Sequence, residues 1–227
     1  MALSTTLATF GIKMTHAELN AVGIRVSAEV WAQLAEFLAR LLHENELLNL
    51  TAVRDADAAW RLHVVDSLAL LPALQMRPQA CVLDLGSGGG VPGIPLAIAA
   101  PTARITLLDA TRKKVDAQQR IVAALGLANV RCVWGRAELV AHERVLRAAF
   151  DVVVTRAVAK LSRLLEWSAP FLKPGGECWC MKGPDVDEEL AAAANAARRA
   201  GLVLSRRYEY ELADRGRRTV LEFTRVR

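Results

Sequence analysis

Residues 82–93 read Val-Leu-Asp-Leu-Gly-Ser-Gly-Gly-Gly-Val-Pro-Gly, and this stretch decides the fold class of the chain. A short apolar run over 81–85 predicts a β-strand, and an apolar run that begins at Ile94 predicts a helix. The glycines between them let the backbone adopt positive φ, and they let a ligand lie against the main chain because no Cβ atoms intervene. This order of strand, glycine loop and helix predicts a nucleotide-type cofactor site at the carboxyl edge of a parallel sheet.

The charge of the loop indicates which cofactor fits it. Gly88, Gly90 and Gly93 match G-x-G-x-x-G, but that spacing alone is a weak signal. Asp84 lies two positions before the first glycine, Gly86, and a carboxylate directed into the loop would repel the pyrophosphate of NAD. S-adenosylmethionine (AdoMet) has no phosphate and carries a positive sulfonium and ammonium, so the acidic loop favours AdoMet. The pattern D-x-G-x-G-x-G resembles the first motif of class I AdoMet-dependent methyltransferases; a turn that binds nothing is the alternative.

The composition is that of an ordinary globular protein. The 227 residues are 53% hydrophobic and 23% charged, with a net charge of +5, which permits a polyanionic partner without requiring one. No apolar run is long enough to span a membrane, and the N-terminus lacks the layout of a signal peptide, so we expect a soluble, cytoplasmic protein. The cysteines lack the spacing of a zinc site, and we expect free thiols and no metal. They are Cys81, Cys132, Cys178 and Cys180.

Strand and helix patterns alternate from residue 81 onward, which predicts a doubly wound α/β fold. We predict strands over 81–85, 104–108, 130–134, 150–155, 177–181, 202–211 and 219–226. We predict helices over 93–100, 111–125, 138–147, 161–171 and 187–200, a loop over 173–176 and a hairpin turn over 213–218. A seven-stranded sheet whose last strand is antiparallel is typical of class I AdoMet-dependent methyltransferases, with their Rossmann-like fold.

Two helical patterns precede the sheet. The first begins after Ser27, a plausible N-cap, and the second is predicted over 55–71, just before Pro72. We therefore expect an N-terminal helical extension over 1–75 that packs on a Rossmann-like methyltransferase domain over 76–227.

Acidic residues follow the second and third strands at the edge where the cofactor would lie. Asp109 can accept hydrogen bonds from both ribose hydroxyls, or it can cap the following helix. Ala137 and Glu138 follow the third strand, where a backbone N–H and a carboxylate can contact the adenine ring. Glu138 can equally complement the dipole of a helix.

The residues after the fourth strand restrict the methyl acceptor. The run 155–158, Thr-Arg-Ala-Val, stands where enzymes that methylate exocyclic amines often carry (D/N)-P-P-(Y/F), so an adenine amine is a less favoured acceptor. No cysteine lies in a rim loop, so the nucleophile needed for C5 methylation of a pyrimidine is missing as well. Guanine N7 fits better, because its in-plane lone pair is free in the neutral base and needs no general base, so proximity and alignment suffice. N7 lies in the deep groove of A-form RNA, and the target guanine should therefore be in a loop or flipped out.

Seven motifs together resemble the RsmG (GidB) family. They are Asn49-Leu50-Thr51-Ala52, Arg61-x-His63-x-x-Asp66-Ser67, Asp84-x-Gly86-x-Gly88-x-Gly90-x-Pro92-Gly93-Ile94-Pro95, Leu107-Leu108-Asp109, Arg136-Ala137-Glu138, Thr155-Arg156-Ala157 and Lys182-Gly183. The resemblance extends from about residue 30 to the C-terminus. It implies AdoMet-dependent N7 methylation of one guanine, at position 527, in the decoding-region loop of bacterial 16S rRNA. Ser87 departs mildly from the usual threonine, and Gly89 replaces a common proline or alanine, so we expect a looser loop there.

The resemblance implies cofactor contacts at Gly86, Val91, Ala137, Glu138 and Arg156. With the residues argued above, the expected cofactor-binding set is Asp84, Gly86, Ser87, Gly88, Gly90, Val91, Asp109, Ala137, Glu138 and Arg156.

Basic residues along the rim are candidates for contacts with RNA phosphates, although each one alone fits a solvated surface charge as well. The set is Arg54, Arg61, His63, Arg112, Lys113 and Lys182, and Lys114, Arg156, Arg215, Arg217 and Arg218 can extend it. No residue is assigned to catalysis with certainty; Arg156 and Lys182 are the candidates, whereas a histidine such as His63 is more often structural.

Two other functions stay open: a small-molecule methyltransferase, and an AdoMet- or RNA-binding module without turnover. The expected partner is 16S rRNA or the small ribosomal subunit, and we expect a monomer that binds no membrane.

Overall fold

A seven-stranded β-sheet forms the centre of the computed structural model, which describes residues 14–226. Its strands are β1 (Cys81–Leu85), β2 (Arg104–Asp109), β3 (Val130–Trp134), β4 (Phe150–Arg156), β5 (Leu172–Lys182), β6 (Leu202–Leu212) and β7 (Gly216–Arg225). They lie in the order β3-β2-β1-β4-β5-β7-β6, and only β7 runs antiparallel to its neighbours β5 and β6. The predicted fold class, a class I methyltransferase sheet with an antiparallel last strand, is confirmed.

Helices cover both faces of this sheet. They are α1 (His16–Ala21), α2 (Ala28–Leu48), α3 (Ala56–Ala59), α4 (Asp66–Leu68), α5 (Leu71–Gln75), α6 (Gly93–Ala99), α7 (Arg112–Ala124), α8 (Ala137–Val140), α9 (Leu161–Ser168) and α10 (Asp187–Arg199). A π-helical segment, Trp60–Val65, joins α3 to α4, and a 3-10 turn, Ala169–Phe171, follows α9. Alternate strand residues face opposite sides, so Val82 and Val152 belong to one buried cluster while Leu83 and Val153 belong to the other.

The N-terminal helices pack in the same core as one face of the sheet. The predicted N-cap of α2 is confirmed, because Ser27 Oγ accepts a hydrogen bond of 3.3 Å from the N–H of Val30. The buried side of α2, which includes Leu34 and Phe37, joins a cluster that also contains Val82 of β1. The division of the chain into a helical extension and a methyltransferase domain stays a prediction, since the two share this core.

The predicted helix over 55–71 is wrong in its detail. The segment is α3, the π-helical segment and α4, and it ends at Leu68. Pro72 does not follow a helix end; it lies in the first turn of α5, where the missing N–H of proline leaves no hydrogen bond unmade.

Two predicted loops are also shorter than expected. The Lys-Pro-Gly-Gly run over 173–176 belongs to β5, whose pairing with β4 shifts register between Phe150 and Val152 and so accommodates the extra residues. The hairpin turn is shorter than 213–218, because β7 already begins at Gly216. Arg217 and Arg218 are therefore strand residues and not turn residues.

The described residues contain neither a helix suited to crossing a membrane nor a group of three or more His, Cys, Asp or Glu side chains placed to hold a metal ion. The four cysteines are free thiols. Cys178 and Cys180 point to one face, as their spacing predicts, with their sulfur atoms 3.6 Å apart.

We expect Leu34→Ala to lower the free energy of unfolding by about 2–5 kcal/mol, since Leu34 is fully buried in the core that α2 shares with one face of the sheet. Leu47→Ala on the same helix is the control; its side chain is 69% exposed, and we expect a change below about 0.5 kcal/mol. Urea unfolding followed by circular dichroism measures both. A single transition is expected, and two separate transitions would show that the helical extension unfolds on its own.

Candidate cofactor and acceptor site

Two adjoining cavities open at the carboxyl edge of the sheet, beside the glycine loop. One, the Asp109 cavity, has a volume of about 400 Å³ and is lined by the ends of β1 and β2 and by the start of α8. The other, the Arg156 cavity, has a volume of about 450 Å³ and is lined by the glycine loop, by the ends of β4 and β5 and by residues of the stretch 50–66, which we call the N-terminal helical segment. Gly86, Lys114 and Ala157 line both, so the two cavities meet at these residues.

The strand register explains why the predicted residues meet here. Leu85 pairs with Leu108 and with Thr155, so the residues that follow these three strands emerge side by side. The Asp109 cavity collects Gly86, Asp109, Ala137 and Glu138. The Arg156 cavity collects Gly86, Ser87, Gly88, Val91, His63, Arg156 and Lys182. Asp84 and Gly90 line neither cavity, and the assignment of all these residues to ligand binding stays a prediction.

The glycine loop needs glycine at defined positions. Gly86 has φ +77°, and a Cβ there would lie 2.6 Å from Val158 Cγ2. Gly89, where we expect a looser loop, is buried, and a Cβ there would lie 2.6 Å from Leu41 Cδ1. Gly89 therefore lets α2 pack closely on the loop.

Asp84, on strand β1, supports the end of the glycine loop. Its side chain is buried, and Oδ2 accepts a hydrogen bond of 2.8 Å from the N–H of Gly93, at the start of α6. Asp84 lines neither cavity, because strand alternation directs its side chain toward the start of α6, and its assignment to cofactor binding stays a prediction. Burial raises the pKa of Asp84 to about 7, although the hydrogen bond from Gly93 and the positive charge of Arg156 both lower it.

Asp109 and Gln118 hold the other side of the loop. Asp109 Oδ2 accepts from the N–H of Gly88 at 2.9 Å, and Oδ1 accepts from the N–H of Thr111 at 2.8 Å. Gln118 Nε2 donates to Ser87 Oγ at 2.8 Å and to Gly88 O at 2.7 Å. Each carboxylate oxygen of Asp109 has a second lone pair, so the residue can support the loop and still accept a hydrogen bond from a ribose hydroxyl.

Sequence reasoning missed Gln118 although a signal was present. Gln118 is fully buried on α7, three residues after Val115 and three before Ile121, which are core residues of the same helix. A polar side chain at a core position of an amphipathic helix indicates a buried hydrogen-bonding role.

Arg156 connects the end of β4 to the N-terminal helical segment. Its Nη1 donates to Leu62 O and lies 3.2 Å from Asp66 Oδ2, while Nη2 lies 3.3 Å from His63 Nδ1. Because a guanidinium only donates, His63 Nδ1 must accept, and its Nε2–H then donates to Thr51 Oγ1 at 3.0 Å. Burial and the Arg156 charge lower the pKa of His63 to about 3. His63 is therefore neutral near pH 7, which favours its structural role over a phosphate contact.

Asp66 is the centre of this polar cluster. Its side chain is buried; Oδ1 accepts from Tyr210 Oη at 2.6 Å and lies 3.9 Å from Arg218 Nε. Burial and the Asp66 charge raise the pKa of Tyr210. One carboxylate thus joins the N-terminal helical segment to β4, β6 and β7.

The other basic candidates differ in how they are held. Lys182 Nζ lies 2.9 Å from Glu189 Oε1, and Arg61 Nε lies 2.6 Å from Glu18 Oε1. Arg54 donates to Asn49 Oδ1 at 2.7 Å, while Arg112 pairs with Asp116 at 2.9 Å and lies over the Trp134 ring. Within residues 14–226, the side chains of Lys113 and Lys114 have neither an ion pair nor a hydrogen bond. Lys113 lies outside both cavities.

Residues 31–213 match the family model GidB, described as rRNA small subunit methyltransferase G. Similar proteins include the ribosomal RNA small subunit methyltransferase G of Sorangium cellulosum, 45% identical over 78% of this chain and 74% of that protein. The protein of the same name from Carboxydothermus hydrogenoformans is 38% identical over 90% of this chain and 87% of its own length.

Two solved structures share the fold. A SAM dependent methyltransferase from Aquifex aeolicus has a TM-score of 0.56 at 18% identity and covers 74% of this chain and 93% of that one. The 16S rRNA (adenine(1408)-N(1))-methyltransferase from Catenulisporales acidiphilia has a TM-score of 0.56 at 15% identity, over 69% and 90%. At these identities the likeness shows the fold alone.

We expect Gln118→Ala to weaken AdoMet binding by up to roughly thirty-fold, because two hydrogen bonds that hold the loop are lost at about 1 kcal/mol each. Gln119→Ala, at the exposed neighbouring position, is the control and should bind as the wild type does. Isothermal titration calorimetry measures both dissociation constants. Equal constants for the two variants would contradict the loop-holding role of Gln118.

We expect Asp84→Asn to gain stability relative to the wild type as the pH rises from about 4 to about 7. In this window the folded wild type keeps the Asp84 proton and the unfolded chain has lost it, so its free energy of unfolding falls by up to about 1.4 kcal/mol per pH unit. The lowered pKa of His63 gives a slope of opposite sign, which is common to both proteins and cancels from the difference. Urea unfolding across this window measures the difference, and a constant value would mean that Asp84 stays ionised.

Proposed function

The chain belongs to the GidB family of rRNA small subunit methyltransferases G, and on that premise we propose that it methylates N7 of one guanine in 16S rRNA. It is an AdoMet-dependent methyltransferase. The observation that carries the finer proposal is the pair of cavities that meet at Gly86, one suited to a nucleoside and the other open to the methyl acceptor.

The residues of the Asp109 cavity fit AdoMet. Asp109 can accept ribose hydroxyls, and the N–H groups of Ala137 and Glu138 lie in the first turn of α8, where a helix provides no internal partner for them. The absence of a Cβ at Gly86 keeps the passage between the two cavities open. When bound, AdoMet supplies a methyl group on a positively charged sulfur, which is reactive toward a neutral ring nitrogen.

The residues of the Arg156 cavity fit an acceptor that needs no general base. His63 is neutral, but its Nδ1 accepts from Arg156 and its Nε2 donates to Thr51, so neither nitrogen is free to take a proton. Lys182 is bound to Glu189. Guanine N7 has its lone pair available in the neutral base, so these residues have only to hold the ring in line; alignment can supply about 7–11 kcal/mol. In this proposal the side chains of Arg156 and Lys182 line the cavity and orient the base.

The partner we propose is 16S rRNA, free or in the small ribosomal subunit. Two relatives carry the name ribosomal RNA small subunit methyltransferase G, which supports this choice. We further propose that the protein works in the cytoplasm as a monomer.

The direct experiment incubates the protein with methyl-labelled AdoMet and 16S rRNA from cells that lack this protein, either naked or in small subunits. Label must appear in the RNA, and chemistry selective for N7-methylguanine must cleave the product at one site. RNA binding without label would indicate a binding module, and label transferred to a small molecule without competition by RNA would indicate a small-molecule enzyme. Either result removes the proposal.

We expect Gly86→Ala to reduce rRNA methylation roughly a hundred-fold, because the added Cβ pushes on Val158 and displaces the loop that aligns the reactants. Gly126→Ala is the control: Gly126 also has a positive φ, +64°, but a Cβ there meets nothing within 4 Å and the residue lies outside both cavities. Initial rates at saturating RNA compare the two. Similar rates would show that the loop tolerates a side chain at Gly86.

A further inference from the structure

We infer that Lys114 binds a backbone phosphate of the target nucleotide and so positions the guanine at the junction of the two cavities. This inference rests on the proposed function. Lys114 is one of the three residues that line both the Asp109 cavity and the Arg156 cavity, and it is the only one of the three with a charged side chain. It is half-buried, so its ammonium group can reach a ligand in either cavity and remain in contact with water.

Lys114 differs from the other cations that line the cavities because it has no carboxylate partner. The other arginine and lysine side chains that line the cavities each lie within 4 Å of a carboxylate. The pairs are Arg156–Asp66 at 3.2 Å, Lys182–Glu189 at 2.9 Å, Arg218–Asp66 at 3.9 Å and Arg136–Glu138 at 3.8 Å. Over residues 14–226, Lys114 is the one cavity-lining cation whose side chain has no such partner.

The helix does not explain the lysine. Lys114 lies in the first turn of α7; this turn begins with Arg112 and Lys113 and contains no acidic residue. The positive end of the helix dipole favours acidic side chains at that place, so three consecutive cations there oppose helix stability. A negatively charged ligand would explain a lysine at this position, whereas the stability of the helix does not.

The chemistry of the acceptor identifies the ligand as a phosphate. A guanine base is neutral, so the base itself brings no charge for Lys114 to bind. Its phosphodiester group is anionic and stays at the mouth of the cavity when the base enters, where a half-buried lysine can reach it. A lysine ammonium acts on a phosphate oxygen as a point charge and forms a short, charge-assisted hydrogen bond. The carboxylate of AdoMet is the other anion that Lys114 could bind, and the experiment separates the two.

The test uses the full-length protein, unmodified small subunits and three variants. Lys114→Ala should raise the KM for small subunits roughly ten-fold, as expected for a lost hydrogen bond between charged groups, and leave the Kd for AdoMet within about two-fold. It should also reduce the slope of log KM against log salt concentration by about one, because one phosphate contact is gone. A variant with only a distorted loop would lose AdoMet affinity and keep the salt slope. Lys114→Arg should restore most of the KM and the slope, since arginine also binds phosphate.

Lys160→Ala is the control. It removes the same charge from an exposed position, and Lys160 lines neither cavity, so only the long-range attraction that any surface lysine supplies is lost. We expect a change in KM of at most about two-fold and no change in the salt slope.

Two results would overturn the inference. Equal KM values and salt slopes for Lys114→Ala and Lys160→Ala would mean that Lys114 adds only to the general positive field. A weaker AdoMet Kd for Lys114→Ala with an unchanged KM for small subunits would assign Lys114 to the cofactor carboxylate. Failure of the proposed function is distinguishable from both, because the wild type would then transfer no label to rRNA in any form.

Discussion

The glycine loop has few side chains of its own, so its shape depends, besides the hydrogen bonds within its own backbone, on hydrogen bonds from residues outside it. Asp84, Asp109 and Gln118 provide them from β1, β2 and α7, and all three are buried. The hydrogen bonds from these side chains to the loop backbone fix the positions at which the main chain turns, so the cavities exist before any ligand enters. The cost is the burial of polar groups: Asp84 keeps one carboxylate oxygen without a hydrogen bond, and its pKa rises to about 7.

The N-terminal helical segment has a comparable role at the acceptor side. Asp66 holds Arg156, Tyr210 and Arg218 in one cluster, and Arg156 in turn keeps His63 in one tautomer. A buried charge is stable only when it is paired and hydrogen-bonded, so these groups constrain each other strongly. The wall of the Arg156 cavity is therefore built by parts of the chain that are far apart in sequence, and the extension belongs to the site as much as the sheet does.

The sequence predicted what depends on local pattern and missed what depends on distant partners. The order of the strands and helices follows from periodicity, and Asp109 was expected beside the glycine loop because strand ends meet at one edge. The orientation of Asp84 was readable from alternation with the apolar residues on either side of it. The partners of Arg156 lie 90 to 94 positions away, and no local signal links them. The run 173–176 has no partner in β4; it belongs to β5 because Leu172 and Glu177 on either side of it pair with Phe150 and Val152, and no local signal shows that pairing.

The reaction places a further constraint on these charges. Methylation moves a positive charge from the sulfur of the donor to the purine ring, because N7-methylguanine is a cation. A cavity with uncompensated cations would oppose both the approach of the sulfonium and the formation of this product. The carboxylates of Asp66 and Glu189 compensate the nearby basic groups, and the lowered pKa of His63 keeps a further positive charge out of the cavity. Among the described arginines and lysines that line the cavities, Lys114 alone has no carboxylate partner, and a phosphate that arrives with the substrate would neutralise it when the base is in place. The positive charge that attracts RNA would then be cancelled before the methyl group moves.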